Sequence, residues 1–250
     1  MNQLLTFSVC VALATFPTRL QNVSLRDAKR ASASPTVFAV RIENVSTGTT
    51  LRLSNGTTAP APTAPVLWIV HTGVDPIFSD GQVDRGLGLE KLAEDGDPSQ
   101  LMAALRGKPG IIDVGVVTVP VGAQASGPIL PGSSYEFTVA ASPGDRLTLA
   151  MMFGQSNDLF YAPNGQGIAL FDGMTPRSGI LTDQFTLWDA GTEMNQEPGL
   201  GPDQAPRQAE PNMGTAEREP VQRVHDRFTY PAVDHVIRVT ITPNTTDDRY

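Results

Sequence analysis

Alternating apolar and polar positions dominate the chain after residue 35 and predict strands. The segment TVFAVRIENVS, which begins at Thr36, alternates in this way, is rich in β-branched residues and ends in polar residues, a pattern typical of a strand. The next segment, TTLRLSN, is expected to be its hairpin partner. Thr57–Pro65 is interrupted by prolines and is expected to be a loop, whereas Val66–His71 is expected to be a buried strand.

One region, residues 86–106, shows helical periodicity instead. Leu89, Leu92 and Ala93 follow the i, i+3, i+4 spacing of an apolar helix face. Gly96 is expected to end this helix, and the Asp-Pro pair that follows is expected to start another. The sequence therefore predicts one or two short helices in a connecting segment.

Six later segments are short, apolar or alternating, and bounded by Gly or Pro. They are Ile111–Val121, Tyr135–Ala141, Arg146–Phe153, Ile168–Phe171, Phe185–Asp189 and Val236–Thr242. The total of about eight or nine strands predicts an all-β antiparallel sandwich over residues 36–243. Residues 191–227 break the pattern with five prolines and almost no large apolar residue, so they are expected to form a long irregular loop. Such loops are commonly functional or disordered.

The N-terminal residues carry a different signal. Residues 1–18 contain a short apolar run, Leu4–Phe16, that resembles the hydrophobic region of a signal peptide. No other stretch is long and apolar enough to be a transmembrane segment. Residues 19–35 are expected to be a linker and residues 244–250 a tail. From this segment we predict an exported chain, secreted or held at the periplasm or cell surface. The single cysteine, Cys10, lies in the segment expected to be removed, so no intrachain disulfide is expected.

Charge and composition narrow the possible partners. The net charge is −8, and no basic run exists, which argues against nucleic-acid binding because phosphate contacts need clustered Lys and Arg. Glycine and proline are frequent while charged residues make up only 18%, a balance that favours turns and short strands. The acidity is compatible with binding a divalent cation, although most acidic surfaces are simply soluble surfaces.

The sequence contains no familiar catalytic motif. His71, His225 and His235 form no HExxH arrangement, and there is no GxSxG elbow, P-loop or GxGxxG after a strand. A Ser-His-Asp triad assembled from distant positions would leave no such motif. His71, at a strand end, is expected to be structural and to form a hydrogen bond with a loop.

Candidate chemistry is found in carboxylates that follow predicted elements. The acidic turn EDGD begins at Glu94, Asp158 follows the apolar strand LTLAMMFG, and Asp189 ends the strand in LWDAG. Residues of this kind commonly cap helices or shape turns. If the three loops meet at one end of the sandwich, the same carboxylates could bind Ca²⁺. Paired carboxylates would equally suit a glycosidase.

Several segments together resemble the spondin domain of F-spondin and mindin. The resemblance covers residues 36–243 and is carried by Phe153–Pro163 (FGQSNDLFYAP), Leu187–Glu193 (LWDAGTE), Gly88–Asp97 (GLEKLAEDGD), Pro131–Val139 and Pro143–Leu147. The longer matches, SNDLFYAP and WDAGTEMNQEPGLGP, are more similar to bacterial spondin-domain proteins. The combination of WDAGT with an upstream ND-F turn is the most specific feature.

The resemblance implies a C2-like antiparallel β-sandwich with one divalent cation, calcium, at one end. The metal carboxylates would be Glu94, Asp158 and Asp189. Further or supporting groups would be Asn157, Asp95, Asp97 and Glu193. Animal spondin domains usually carry disulfides and neighbouring thrombospondin repeats, which this chain lacks, so the ligands of that branch are not carried over.

Three functional interpretations follow. The first is an exported, non-enzymatic calcium-binding module that contacts an extracellular or envelope protein or a glycan, in adhesion or in a matrix. The second is a hydrolase that uses the same carboxylates on a glycan. The third is a structural sandwich with an acidic rim and no ion. Four sequons of the form N-x-S/T are also present, at Asn22, Asn44, Asn55 and Asn244, and they are acceptors only in a glycosylating host.

Overall fold

The computed structural model describes residues 34–244 and shows mainly antiparallel strands with two short helices. The strands are β1 (Thr36–Asn44), β2 (Leu51–Arg52), β3 (Thr58–Ala59), β4 (Val66–His71), β5 (Ile111–Val117), β6 (Ser134–Ala141), β7 (Arg146–Met152), β8 (Leu159–Pro163), β9 (Ile168–Ala169), β10 (Phe171–Asp172), β11 (Thr175–Pro176), β12 (Gly179–Ile180), β13 (Phe185–Asp189), β14 (Gln222–Arg223) and β15 (Ile237–Asn244). The helices are α1 (Leu89–Asp95) and α2 (Ser99–Leu105), and short 3₁₀ turns occupy Thr182–Gln184 and Val233–His235. The predicted all-β class, with two helices in a connecting segment, is confirmed.

Two sheets form the sandwich. The small sheet has the order β12-β15-β1-β6, and the large sheet has the order β14-β13-β8-β7-β4-β5, with β9 paired to β7. The remaining strands form two short hairpins, β2-β3 and β10-β11. Every pairing is antiparallel, as is typical of sheets linked by hairpins and loops.

The burial pattern of the strands shows that the large sheet is covered on both faces. Strand β1 buries every second residue, because only one side of the small sheet faces the core. Strand β7 is buried at six consecutive positions. One face contributes to the core between the sheets, together with Phe38 and Ile42. The other face packs against Leu89 and Leu92 of α1. The helices therefore form a third layer, outside the large sheet.

The end of α1 is fixed by a glycine. Gly96 has φ 68°, and its backbone N–H donates to the carbonyl of Lys91, which is the usual left-handed cap of a helix. A Cβ at this position would lie 2.6 Å from the Cβ of Ala64. The close approach holds the last turn of α1, which carries Glu94, against the start of β4.

The structure corrects two predictions about the strands. TTLRLSN does not pair with β1, because β1 is already paired with β15 and β6. Its residues Leu51–Arg52 pair instead with Thr58–Ala59, inside the segment predicted to be a loop. Strand β8 was not predicted, since it is short and entirely buried and therefore shows no alternation.

Some predictions concern residues that the structure does not describe. The signal peptide at 1–18 lies outside the described residues, as does nearly all of the predicted linker at 19–35 and tail at 244–250. Between residues 34 and 244, no helix is long and apolar enough to cross a membrane.

Candidate metal centre

Three separate elements bring the predicted carboxylates to one end of the large sheet. Asp158 precedes β8 and Asp189 ends β13. Because Asp189 is in register with Leu159, the two aspartates lie at the same end of neighbouring strands. Glu94 lies in the last turn of α1, which packs on β7 and β8. We call this group the carboxylate rim, defined by Glu94, Asp158 and Asp189. All three side chains are buried, with at most 7% exposed.

The two oxygens of Asp158 have contrasting environments. Oδ2 accepts three hydrogen bonds, from the Thr192 amide at 2.8 Å, the Thr192 hydroxyl at 3.2 Å and the Glu193 amide at 3.1 Å. Oδ1 is buried and has no hydrogen-bond partner among the described residues. Burial, followed by the negative charge of Asp189, raises the pKa of Asp158 to about 7. The carboxylate is therefore anchored through one oxygen and unsatisfied at the other.

Glu94 has the same deficit. Its Oε1 is buried and lacks a hydrogen-bond partner in the described part of the chain. Burial raises its pKa to about 8, the Thr192 side chain opposes the rise, and the negative charges of Glu193, Glu90 and Asp158 add to it. The Thr192 hydroxyl has one proton, and the hydrogen bond that it makes goes to Asp158 Oδ2 at 3.2 Å.

Asp189 differs because both of its oxygens accept hydrogen bonds. Oδ1 accepts from the Gly191 amide at 2.8 Å, and Oδ2 accepts from the Asn195 side chain at 2.6 Å. Burial raises the pKa of Asp189, these two bonds oppose the rise, and the charge of Asp226 adds to it. Gly191 has φ 68°, so the turn that supplies one of the donors needs a glycine.

The four supporting residues named from the sequence have different roles. Asn157 and Glu193 lie beside the rim, since the Glu193 amide donates to Asp158 Oδ2 and Asn157 Nδ2 donates to Glu193 Oε2 at 3.1 Å, and both side chains are buried. Asp95 accepts from Gln208 and Asn212 at 3.0 Å each, and so holds the long loop.

Asp97 is not part of the rim. Its Oδ1 accepts from the Ser99 amide at 2.9 Å at the start of α2, and its Oδ2 pairs with Lys91 at 2.9 Å. The sequence could not distinguish the roles of Asn157, Glu193 and Asp95, because these depend on where the long loop returns.

Residues that sequence reasoning missed come from the long loop. Thr192 and Asn195 supply three hydrogen bonds to the rim aspartates, two from Thr192 and one from Asn195, and the neighbouring Gly191 amide supplies another. Thr192 lies within the quoted LWDAGTE segment. The sequence feature that could have identified Thr192 is therefore a polar residue three positions after the aspartate that ends a strand.

The donor chemistry of the rim fits a hard cation. Calcium binds six to eight oxygens, from carboxylates, carbonyls, amides and water, and the rim offers two buried carboxylate oxygens that nothing else satisfies. Among residues 34–244, no three His, Cys, Asp or Glu side chains are close enough to hold an ion as they stand. Glu94 and Asp158 would supply the free oxygens, and each Asp189 oxygen, which accepts one hydrogen bond, keeps a lone pair with which it could join them.

A cleft opens beside the rim. It has a volume of about 350 Å³ and is lined by Glu90, Glu94 and Asp95 from α1 and by Asn212 from the long loop. Glu94 is therefore the rim carboxylate that lines this cleft.

Two comparisons with known proteins found no match. The chain matches no model of a known protein family, and no curated protein matches it. The spondin resemblance rests on the motifs quoted above.

Proposed function

We propose that the chain is an exported, calcium-binding, spondin-like module that acts by binding rather than by catalysis. The observation that carries the proposal is the pair of buried, unsatisfied carboxylate oxygens on Asp158 and Glu94. Leaving a buried polar atom without a partner costs about 1–3 kcal/mol. A divalent cation would remove this cost and the repulsion between the carboxylates, since both anions would then bind the same cation.

Calcium would also fix the surface around it. The hydrogen bonds from Thr192, Glu193 and Asn195 connect the rim to the loop 191–227, so an ion at the rim would stabilise the loop in one position. That loop and the cleft beside Glu94 form the proposed binding surface. Its partner would be an extracellular or envelope protein, or a glycan, in adhesion or a matrix.

Thermal unfolding tests the calcium part of this proposal. At a calcium concentration one hundred times Kd, binding to the folded state alone contributes ~2.7 kcal/mol. For a domain of this size, that raises Tm by roughly 5–10 °C relative to EDTA. The increase should disappear in the double variant Asp158→Asn, Asp189→Asn and persist in Asp172→Asn, which alters an exposed aspartate. No increase in the wild type at millimolar calcium would refute the proposal.

One observation favours a second candidate, a carboxylate-dependent hydrolase. Glu94 lines the cleft, and its pKa of about 8 keeps it protonated at neutral pH, as a general acid requires. A panel of glycan and ester substrates tests this function. Turnover that is abolished in Glu94→Gln while the fold is retained would support the hydrolase. A folded wild type that turns over none of them would argue for the binding module.

A further inference from the structure

Two of the sequons, those at Asn44 and Asn55, lie entirely within the described residues and share a local geometry. In each, the asparagine Oδ1 accepts hydrogen bonds from the backbone amide and the hydroxyl of the residue two positions later. The distances are 3.0 and 2.6 Å for Asn44 with Ser46, and 3.0 and 2.7 Å for Asn55 with Thr57. Only the surroundings of the two asparagines differ.

Asn44 is fully committed to the core. It is 1% exposed, and its Nδ2 donates to the carbonyls of Ala61 at 2.8 Å and Ile129 at 3.1 Å. Both hydrogens of the amide are therefore used to join β1 to two other segments. A sugar on this nitrogen would remove at least one of these bonds and would not fit in the core, so a chain modified at Asn44 could not reach this fold.

Asn55 has the opposite environment. It is exposed at the tip of the β2-β3 hairpin, and its Nδ2 makes no hydrogen bond with any of residues 34–244. The turn itself is held in place, because Glu197 accepts from both the amide and the hydroxyl of Ser54 at 2.6 Å. No Cβ placed on Gly56 would meet any atom within 4 Å, so there is open space beside the asparagine.

We propose that Asn55 is an N-glycosylation site and that Asn44 is not, an inference that rests on the export included in the proposed function. The donor is an oligosaccharide linked through pyrophosphate to a lipid. Asn55 Nδ2 forms a bond to the anomeric carbon of the first sugar, the bond from that carbon to the pyrophosphate oxygen breaks, and Nδ2 loses one proton. The lipid pyrophosphate is released, and no oxidant or reductant is needed.

The glycan would stand beside the long loop. Glu197 belongs to that loop, and Gly199 lies against Leu53 of the same hairpin. A sugar chain on Asn55 would therefore stand over the first part of the loop, near Glu197, away from the residues that line the cleft beside Glu94.

Site mapping in a glycosylating host tests the proposal. The full chain is secreted from insect cells behind a cleavable leader, so that the result does not depend on whether residues 1–18 direct export. Trypsin separates the sites, because cleavage after Arg41, Arg52 and Arg85 places Asn44 and Asn55 on different peptides. Enzymatic deglycosylation in heavy-oxygen water then labels each asparagine that carried a glycan.

We expect the label on the Asn55 peptide of the secreted protein and none on the Asn44 peptide. Asn55→Gln and Thr57→Val should abolish the label on the Asn55 peptide, whereas Thr57→Ser should retain it because a hydroxyl remains. An unlabelled Asn55 in folded, secreted protein, or a labelled Asn44, would overturn the inference. The calcium response of the same preparation is measured separately, so failure of the metal centre is distinguishable from failure of this site.

Discussion

Single atoms determine the chemistry of the rim, and Asp158 offers the clearest test. Its Oδ2 accepts three hydrogen bonds and its Oδ1 accepts none. In Asp158→Asn, the amide oxygen can keep the bonds from Thr192 and Glu193 while the charge that interacts with Asp189 is removed. We therefore expect the ion-free variant to be more stable than the wild type by about 1–2 kcal/mol. Urea unfolding in EDTA measures this difference.

The same substitution should abolish stabilisation by calcium, because a neutral amide replaces a rim anion. Asp172→Asn serves as the control, since it removes an equal charge from the exposed β10-β11 hairpin. A variant that is less stable than the wild type in EDTA would show that the Asp158 carboxylate contributes to the fold on its own. That result would contradict the assignment of its free oxygen to an ion.

His71 provides a pH-dependent prediction at the opposite end of β4 from the rim. Its Nδ1 lies 2.9 Å from the Gly73 carbonyl, so Nδ1 carries the proton, and Nε2 accepts from the Thr148 hydroxyl at 2.9 Å. This confirms the expected structural role. Burial lowers the pKa of His71, as does Arg146 to a smaller extent, while the Gly73 bond and Asp145 oppose the shift.

A histidine whose pKa is lowered by folding is protonated more readily in the unfolded chain. The wild type should therefore lose stability as pH falls below about 6.5, the unfolded value. Unfolding free energies from pH 8 to pH 5 are compared between the wild type and His71→Gln. The difference between the two curves isolates the histidine from the rim carboxyl groups, and a pH-independent difference would refute the prediction.

The rim residues illustrate what sequence can predict at this scale. Asp158 and Asp189 follow apolar strands and Glu94 ends a periodic helix, so their placement at element ends is visible in the pattern. Which oxygen stays free is decided by the loop that returns over them. That loop has no periodicity, and its hydrogen bonds link residues that are more than thirty positions apart, as with Thr192 and Asp158.

At the scale of elements, the loop 191–227 acts as a cover for the rim. Its first arm contacts Asp158 and Asp189, and its second arm is tied to the first by the bond from the Glu219 amide to the Gly191 carbonyl at 2.9 Å. Asp95 holds a third point. Each of these three attachments of the loop involves a rim carboxylate or a residue close to one in the sequence. We therefore expect the position of the loop to be coupled to ion binding.

Limited proteolysis measures this coupling. Arg218 is exposed on the loop, and trypsin should cut after it more slowly in calcium than in EDTA, because cleavage requires the loop to open locally. The calcium effect should be absent in Asp158→Asn. Equal cleavage rates in calcium and in EDTA, in a wild type that shows the increase in Tm, would mean that the ion does not stabilise the loop.

The predictions of individual strands and helices were confirmed where a single local factor determined the pattern of residues in the sequence. Strand β1 has one buried face and alternates as expected, and α1 ends at the glycine that the sequence indicated. The hairpin prediction for TTLRLSN was wrong because β15, almost two hundred residues away, pairs with β1. Strand β8 was missed because both of its faces are buried. Long-range pairing and burial on two faces leave no local signal.

At the scale of the whole molecule, residues 34–244 form two cores, and β8 and β13 contribute to both whereas α1 packs into only one of them. The core between the sheets contains Ile42, and the core between the large sheet and the helices contains Leu92. Strand count and turn spacing predicted the sandwich, but a third layer on the large sheet could not be predicted, since periodicity does not say which sheet face a helix covers. Because α1 carries Glu94, the proposed calcium site should be sensitive to substitutions in the core between the large sheet and the helices.

Two matched substitutions test this division. Leu92 and Ile42 are both fully buried, so Leu92→Ala and Ile42→Ala should each lower the free energy of unfolding by about 2–5 kcal/mol. Only Leu92→Ala should also weaken calcium binding, because the cavity it leaves lets α1 and its carboxylate shift away from Asp158. Urea unfolding and calorimetric titration with calcium, both below the unfolding transition, measure the two effects separately. Equal calcium affinity in the two variants would show that the ion is held without Glu94, by the ends of β8 and β13 alone.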